Sequence, residues 1–253
     1  MYDNYNNGGD NGNDGKNEKK ELGDVLFSWH RKFGNFMYHY KFAILASLAG
    51  MAMIIFAIAQ CAMRIEPDAN IVYAGPAILH LHDMNNVRAD FNAILGEDLN
   101  DDGHIYVNVT RFHFLSDPQI EDMRARGEII DPRAVTIARQ QLGLEILTGD
   151  NLIFFLSPEA YRATRRTNGA NNFMFIDLAL GYALPDEMLF DEFAIRLSAL
   201  PVFEYFEGIG AFPEDTLIVI RDHRPDDRTD ARTRERYERN LLMFKRIVEF
   251  RPE

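Results

Sequence analysis

An α/β fold carried on a membrane anchor is predicted by three features of this 253-residue sequence: an uncharged apolar run near the amino end, a βαβαβ alternation of short strand-like and helical segments after it, and an acidic remainder. The apolar run covers 42–63, FAILASLAGMAMIIFAIAQCAM, interrupted only by Ser47, Gln60 and Cys61. At roughly 1.5 Å per residue a helix of this length rises about 33 Å, enough for a hydrocarbon core of about 30 Å. No face of it carries a polar stripe, which separates it from an amphipathic core helix. The expected partner of residues 42–63 is therefore the lipid bilayer.

The flanking charges give an orientation. Lys16, Lys19, Lys20, Arg31, Lys32 and Lys41 precede the run, whereas only Arg64 follows closely, with Glu66 and Asp68 beyond it. Basic residues stay on the cytoplasmic side, so the expectation is a single-pass protein of the cell membrane with its amino terminus inside and residues 64–253 outside. Ala57-Ile58-Ala59 fits a small-x-small cleavage pattern, but about 41 residues precede the apolar run, far more than a secretory leader carries, and an uncleaved signal anchor is the reading adopted. Residues 1–20 are rich in Asn, Gly and Asp without one aliphatic side chain, and a disordered cytoplasmic tail is expected there. From 21 to 41 Leu22, Val25, Leu26, Trp29, Phe33, Phe36, Met37 and Tyr40 recur at helical steps beside basic residues, predicting an amphipathic juxtamembrane helix.

Composition excludes several classes. With 47% hydrophobic and 26% charged residues the chain is of ordinary globular type. A single cysteine rules out an internal disulfide and a multi-cysteine zinc cluster. The net charge of −12 argues against nucleic acid as a partner. Residues 1–63 hold six basic and six acidic side chains, so the whole excess of acid lies in the outer segment.

The outer segment, expected to be one α/β domain over 64–253 with a mostly parallel sheet, opens with a buried strand at Ile71-Val72-Tyr73-Ala74 before Gly75-Pro76. A helical pattern covers 77–95, and a β-branched strand covers Ile105 to Phe112. Residues 116–132 read as a surface excursion between two Asp-Pro steps. A helix is expected from Pro132 to Leu147, with Pro in its first turn and Gly149-Asp150 after it. The third strand is Asn151 to Leu156. Further on, the pattern predicts a short helix near 158–165, a polar loop at 167–172, a helix near 186–200, a strand at 215–221 and a last helix over about 229–250 with Tyr237, Leu241, Phe244, Ile247 and Val248 as its buried stripe. Successive parallel strands joined by helices require helices on both sheet faces.

One motif carries chemistry. Asp98-Leu99-Asn100-Asp101-Asp102-Gly103-His104-Ile105 matches the first eight positions of a calcium loop, in which oxygens at positions 1, 3 and 5 and a backbone carbonyl at 7 converge on a hard cation and glycine at 6 allows the reversal. The candidate ligands are Asp98, Asn100, Asp102 and the His104 carbonyl, and the candidate ion is calcium, in a structural role. Position 12 is Val109, so a carboxylate must come from elsewhere, with Glu97, Glu121 or Asp122 as the conceivable donors; an acidic turn that binds nothing is the alternative. His80 and His82 lie two apart on a helix and point to different sides, a poor metal pair. His113 is expected to be packed. Glu207-Gly208-Ile209-Gly210 precedes no phosphate-binding helix, and no GxSxG, HExxH, P-loop or dinucleotide fingerprint occurs, so no enzyme is expected.

The series IVYAGP, helix, acidic turn, strand, and a helix ending EILTGDNLIFFLSPEAY, over about 70–165, resembles the first lobe of extracellular solute-binding proteins. Tyr38-His39-Tyr40-Lys41, Tyr73-Ala74-Gly75-Pro76 and the DxNxDG loop are also similar to a group of uncharacterised single-pass membrane-anchored proteins of Gram-positive anaerobes. These resemblances imply a solute-binding-like lobe outside the membrane, without the second lobe for which about 190 residues are too few. The expected function is a binding or interaction module. An accessory subunit that binds a membrane-protein partner rather than a small solute, and a surface hydrolase, are the alternatives.

Overall fold

The computed structural model describes residues 38, 40–59, 65–148, 151–167, 169–223 and 230–252. The expected tail at 1–20, nearly all of the juxtamembrane helix, positions 60–63 of the apolar run and Gly149-Asp150 lie outside these residues. Two units are separated near Arg64. In the first, helix α1 (Tyr40–Ala59) is long and apolar enough to cross a membrane, and no part of its most apolar stretch is buried within the protein.

The second unit, from Ile65 onward, is built on a six-stranded sheet in the order β2 (Val107–His113), β1 (Ala69–Gly75), β3 (Ile153–Leu156), β8 (Leu217–Ile220), β7 (Ala194–Arg196) and β6 (Leu189–Asp191). Strand β1 (Ala69–Gly75) is buried along its whole length and pairs in parallel with β2 (Val107–His113) on one side and β3 (Ile153–Leu156) on the other. Between β1 and β2 runs α2 (Leu81–Leu95), and β2 leads through α3 (Asp117–Ala125) and α4 (Pro132–Thr148) to β3. Ile71, Tyr73, Ile153 and Phe155 face a core shared with α2, while Val72, Ala74, Phe154 and Leu156 face a second core shared with Leu142 and Ile146 of α4. The two connecting helices thus cover opposite faces, as right-handed crossovers require when β1 to β2 runs one way along the sheet and β2 to β3 the other.

The second half departs from the parallel expectation. β8 (Leu217–Ile220) runs antiparallel to β3, β7 (Ala194–Arg196) antiparallel to β8, and β6 (Leu189–Asp191) antiparallel to β7, so the sheet is mixed. The helix expected near 186–200 is replaced by the β6–β7 hairpin, flanked by single 3₁₀ turns at Asp186–Met188 and Leu197–Ala199. Apolar residues there suit helical spacing, but Ile195 gains a ladder partner in Ile218, and Asp191 turns the chain by accepting the Phe193 amide at 2.9 Å. Tertiary pairing outweighs local periodicity. The expected excursion at 116–132 instead contains α3, which buries no residue and so shows no apolar stripe; its signal is the reciprocal cap between Ser116 and Gln119. The polar loop at 167–172 folds into a small hairpin of β4 (Arg166–Thr167) and β5 (Ala170–Asn171).

Three further helices are α5 (Pro158–Thr164), α6 (Ile176–Leu180) and α7 (Pro201–Tyr205). The last helix, α8 (Ala231–Glu249), starts from the Asp230 cap and buries Tyr237, Phe244, Ile247 and Val248 as expected, with Leu241 packed at the core's edge. It also buries Asn240, whose Oδ1 accepts the Asn70 amide at 2.8 Å and so pins α8 to β1 through a polar contact that an apolar stripe does not reveal.

Gly208 lies against α2. A Cβ there would come within 2.5 Å of the Asn86 carbonyl carbon and of Asp90 Oδ2, and 2.6 Å from the Val87 nitrogen. Gly143, in the middle of α4, would place a Cβ in open space. Gly208→Ala is expected to destabilise the domain by about 1–3 kcal/mol through forced separation of these segments, and Gly143→Ala to stabilise it by about 0.5–1 kcal/mol through helix propensity. Denaturant unfolding of the two variants beside the wild type measures both signs.

Candidate functional site

Two places in the second unit concentrate polar groups: the acidic turn before β2, at the amino ends of the parallel strands, and a cavity at their carboxyl ends.

The turn is organised from below by Asp68, which is fully buried just ahead of β1. Its Oδ1 accepts the amides of Leu99 at 2.8 Å and Asn100 at 3.1 Å, and its Oδ2 accepts the Tyr106 amide at 2.9 Å. Within the turn, the Asp98 carboxylate accepts Asn100 and Gly103 amides at 3.1 and 2.7 Å, Asn100 Oδ1 accepts the Asp102 amide at 3.0 Å, and Asp102 Oδ1 accepts the His104 amide at 2.9 Å. Asp101 adopts φ 59° and Gly103 φ 85°, the left-handed values that reverse the chain. Asp98, Asn100 and Asp102 are thus placed in one turn as the spacing predicts, and each serves a backbone N–H. Of the conceivable extra donors, Glu97 is paired with Arg246, while Glu121 and Asp122 lie on α3, which follows the far end of β2 from the turn. Among the described residues no three His, Cys, Asp or Glu side chains form a metal-ligand group.

Desolvation raises the Asp98 carboxyl, but the backbone N–H groups of Gly103, Asn100, Asp101 and Asp102 outweigh it and hold the group below the usual carboxylate range. Asp68 was not singled out from sequence. Its only signal there is an acidic residue immediately before an apolar strand, which does not tell which amides it will meet.

The cavity encloses about 360 Å³ beside the carboxyl ends of β2 and β3. Phe114, Ser116 and Asp117, just after β2, form one wall. Gly143, Ile146 and Leu147 of α4 form the second. Glu159, Ala163 and Thr164 of α5, with Thr167 and Asn172 of the β4–β5 hairpin, form the third. In open α/β sheets ligands bind outside the carboxyl ends of strands, and this cavity lies at that end, on the face that α4 and α5 cover.

Arg139 of α4 borders this space. Its Nε donates to the Leu115 carbonyl at 3.0 Å, one Nη donates to Asp117 Oδ1 at 2.7 Å, and the guanidinium lies 5.6 Å from the Phe114 ring centre. On the opposite wall Asn172 Nδ2 donates to the Thr164 carbonyl at 2.5 Å and to Thr167 Oγ1 at 2.9 Å. Helix α5 is held by Tyr161, whose buried hydroxyl donates to both Asp191 carboxylate oxygens at 2.8 and 2.7 Å while Arg165 pairs with Asp191 at 3.0 Å. Burial first, and then the Asp191 carboxylate, push the Tyr161 phenol far above its ordinary value, so it acts as a fixed donor.

No family model, curated protein or solved structure matches the chain. The arrangement therefore rests on its own geometry.

His80, His82 and His113 fall outside both places. His80 caps α2, where its amide donates to Asp83 at 2.9 Å, and His82 faces Asn86 at 3.5 Å. His113, expected to be packed, is exposed on edge strand β2 and meets the Pro76 carbonyl at 3.2 Å. At the end of β1 the buried Tyr73 hydroxyl has the Ala77 amide nearby without full hydrogen-bond geometry; burial, with Asp215 adding and Ala77 opposing, raises it to about 12.

Asp68→Ala strands three backbone amides, and is expected to cost about 3 kcal/mol or more, each charge-assisted bond contributing about 1.5–3 kcal/mol; equilibrium unfolding measures the loss. Asp98 ionises at a lower pH when folded than when unfolded, near 3.9. Its contribution to stability is complete above that value and is lost as pH falls through the lowered folded value. Melting temperatures of wild type and Asp98→Asn are therefore expected to converge on acidification below about pH 4.

Proposed function

We propose that the chain is a single-pass, membrane-anchored binding module whose outer domain holds a small solute in the cavity between α4 and α5. The observation that carries this reading is the cavity itself. It has the size of a small-ligand site, mixes apolar walls with a few oriented polar groups, and lies at the strand ends where this class of sheet binds ligands. Helix α1 supports the anchor, and the excess of Lys and Arg before it supports an inside amino terminus. The parallel β2-β1-β3 half supports the likeness to a solute-binding lobe, although the antiparallel half gives the sheet a different completion.

A protein partner is the second reading. Ile137, Leu144 and Leu147 are exposed on α4 at steps of seven and three residues that put them on one side of the helix, and apolar side chains so grouped suit a protein contact. An accessory subunit of a membrane complex would use that surface and leave the cavity without a role.

The readings separate in one screen. The detergent-solubilised full chain is melted against sugars, amino acids, amines and calcium, beside Gly143→Leu, which projects a side chain into the cavity. A saturable rise in melting temperature of about 2 °C or more in the wild type, absent from Gly143→Leu, is expected for solute binding. No cavity-dependent response, with a stable protein partner co-purifying instead, overturns it. A rise with calcium that Asp98→Asn and Asp102→Asn abolish would add an ion to the 98–104 turn, whose shape the backbone hydrogen bonds already sustain.

A further inference from the structure

We infer that the cavity between α4 and α5 selects a small organic cation, an amine joined to an apolar body. This rests on the cavity being the binding site.

The argument is one of unmet charge. Three ionisable side chains line the space: Arg139, Asp117 and Glu159. Arg139 and Asp117 neutralise each other at 2.7 Å, and Arg139 is further committed to the Leu115 carbonyl. Among the described residues Glu159 has no comparable partner. Arg162, one turn along α5, approaches it only to 3.7 Å, and its own side chain is 63% exposed, so solvent screens the pair. The cavity therefore presents one carboxylate whose charge is poorly compensated.

Two neutral groups, Asn172 and Thr164, point the same way. Asn172 spends its NH₂ on Thr164 and Thr167, which turns its Oδ1 into an available acceptor. Thr164 spends its hydroxyl proton on the Ala160 carbonyl at 2.7 Å. A ligand able to donate several hydrogen bonds satisfies Glu159 and Asn172 together, which an ammonium group does and a carboxylate does not. Phe114, Ile146, Leu147 and Ala163 supply apolar surface for the rest of the molecule. The outer segment's net acidity raises the local concentration of cations over anions.

The test uses three probes with similar apolar bodies and different head groups: phenethylamine, 2-phenylethanol and 3-phenylpropanoate. Each is titrated against the full chain in detergent, with melting temperature as readout, in wild type, Gly143→Leu and Glu159→Gln. Gly143→Leu removes binding in the cavity but leaves any partitioning into micelles, and its melt without probe verifies folding. Phenethylamine is expected to raise the wild-type melt saturably and at lower concentration than the other two, with the response lost in Gly143→Leu. Glu159→Gln, at a part-exposed position, is expected to weaken the amine by about tenfold or more while leaving the alcohol unchanged.

Preference for the carboxylate or the alcohol, or an amine response equal in wild type and Glu159→Gln, overturns the cation inference. If those responses still vanish in Gly143→Leu, the cavity remains a binding site and only its ligand class is wrong. An amine response that survives Gly143→Leu, or no response to any probe, overturns the inference as well. In the latter case the broader solute screen decides separately whether the cavity binds anything.

Discussion

The full burial of β1 is the constraint on which the second unit depends. A strand with all seven residues buried between two parallel neighbours needs cover on both faces, and its backbone groups must be satisfied along its whole length. Helices α2 and α8 cover one face and α4 and α5 the other. Both ends of β1 are then finished by polar devices. Asp68 gathers three amides below it, and at its upper end the Ala74 carbonyl accepts the Ser157 amide at 2.9 Å, starting α5 from the β3 side.

The two ends have different chemistry. At the lower end, carboxylates are turned inward on the backbone. The Asp98, Asn100 and Asp102 side chains that match a cation-binding spacing are also the acceptors that hold the turn, so the same oxygens serve the fold whether or not an ion joins them. At the upper end the helices stand apart and leave a cavity in which Arg139 pairs with Asp117 at 2.7 Å and Glu159 meets the exposed Arg162 at 3.7 Å. The cavity arises there between two helices packed on the same face of the sheet, not because a local motif specifies it.

Legibility followed the length of each segment's own signal. The buried runs of β1, β3 and β8 and the stripe of α8 were readable because burial dictates their residue types, and the run at 42–63 because it is apolar and uncharged over a length that can cross a membrane. Helix α3 was not, since it buries nothing and declares itself only through a Ser116–Gln119 cap. Residues 186–200 misled because Leu189, Phe193, Leu197 and Leu200 stand at spacings that suit a helix, whereas pairing of β7 with β8 decides the conformation. The calcium-loop residues were legible as a turn. Asp68, Arg139 and Glu159 were not legible as partners of anything, because the groups they meet or lack lie on other elements.

Sequence alone determined the apolar span, the concentration of acid beyond it and the βαβαβ opening, all of which follow from side-chain transfer preferences and local periodicity. Only the tertiary structure decided that the sheet is completed by antiparallel strands, that Asp68 is the hub of the acidic turn, and that α4 and α5 part to enclose a cavity. Those outcomes depend on which distant segments find each other, and a hydrogen bond or an unmatched charge exists only once both sides of the contact are in place.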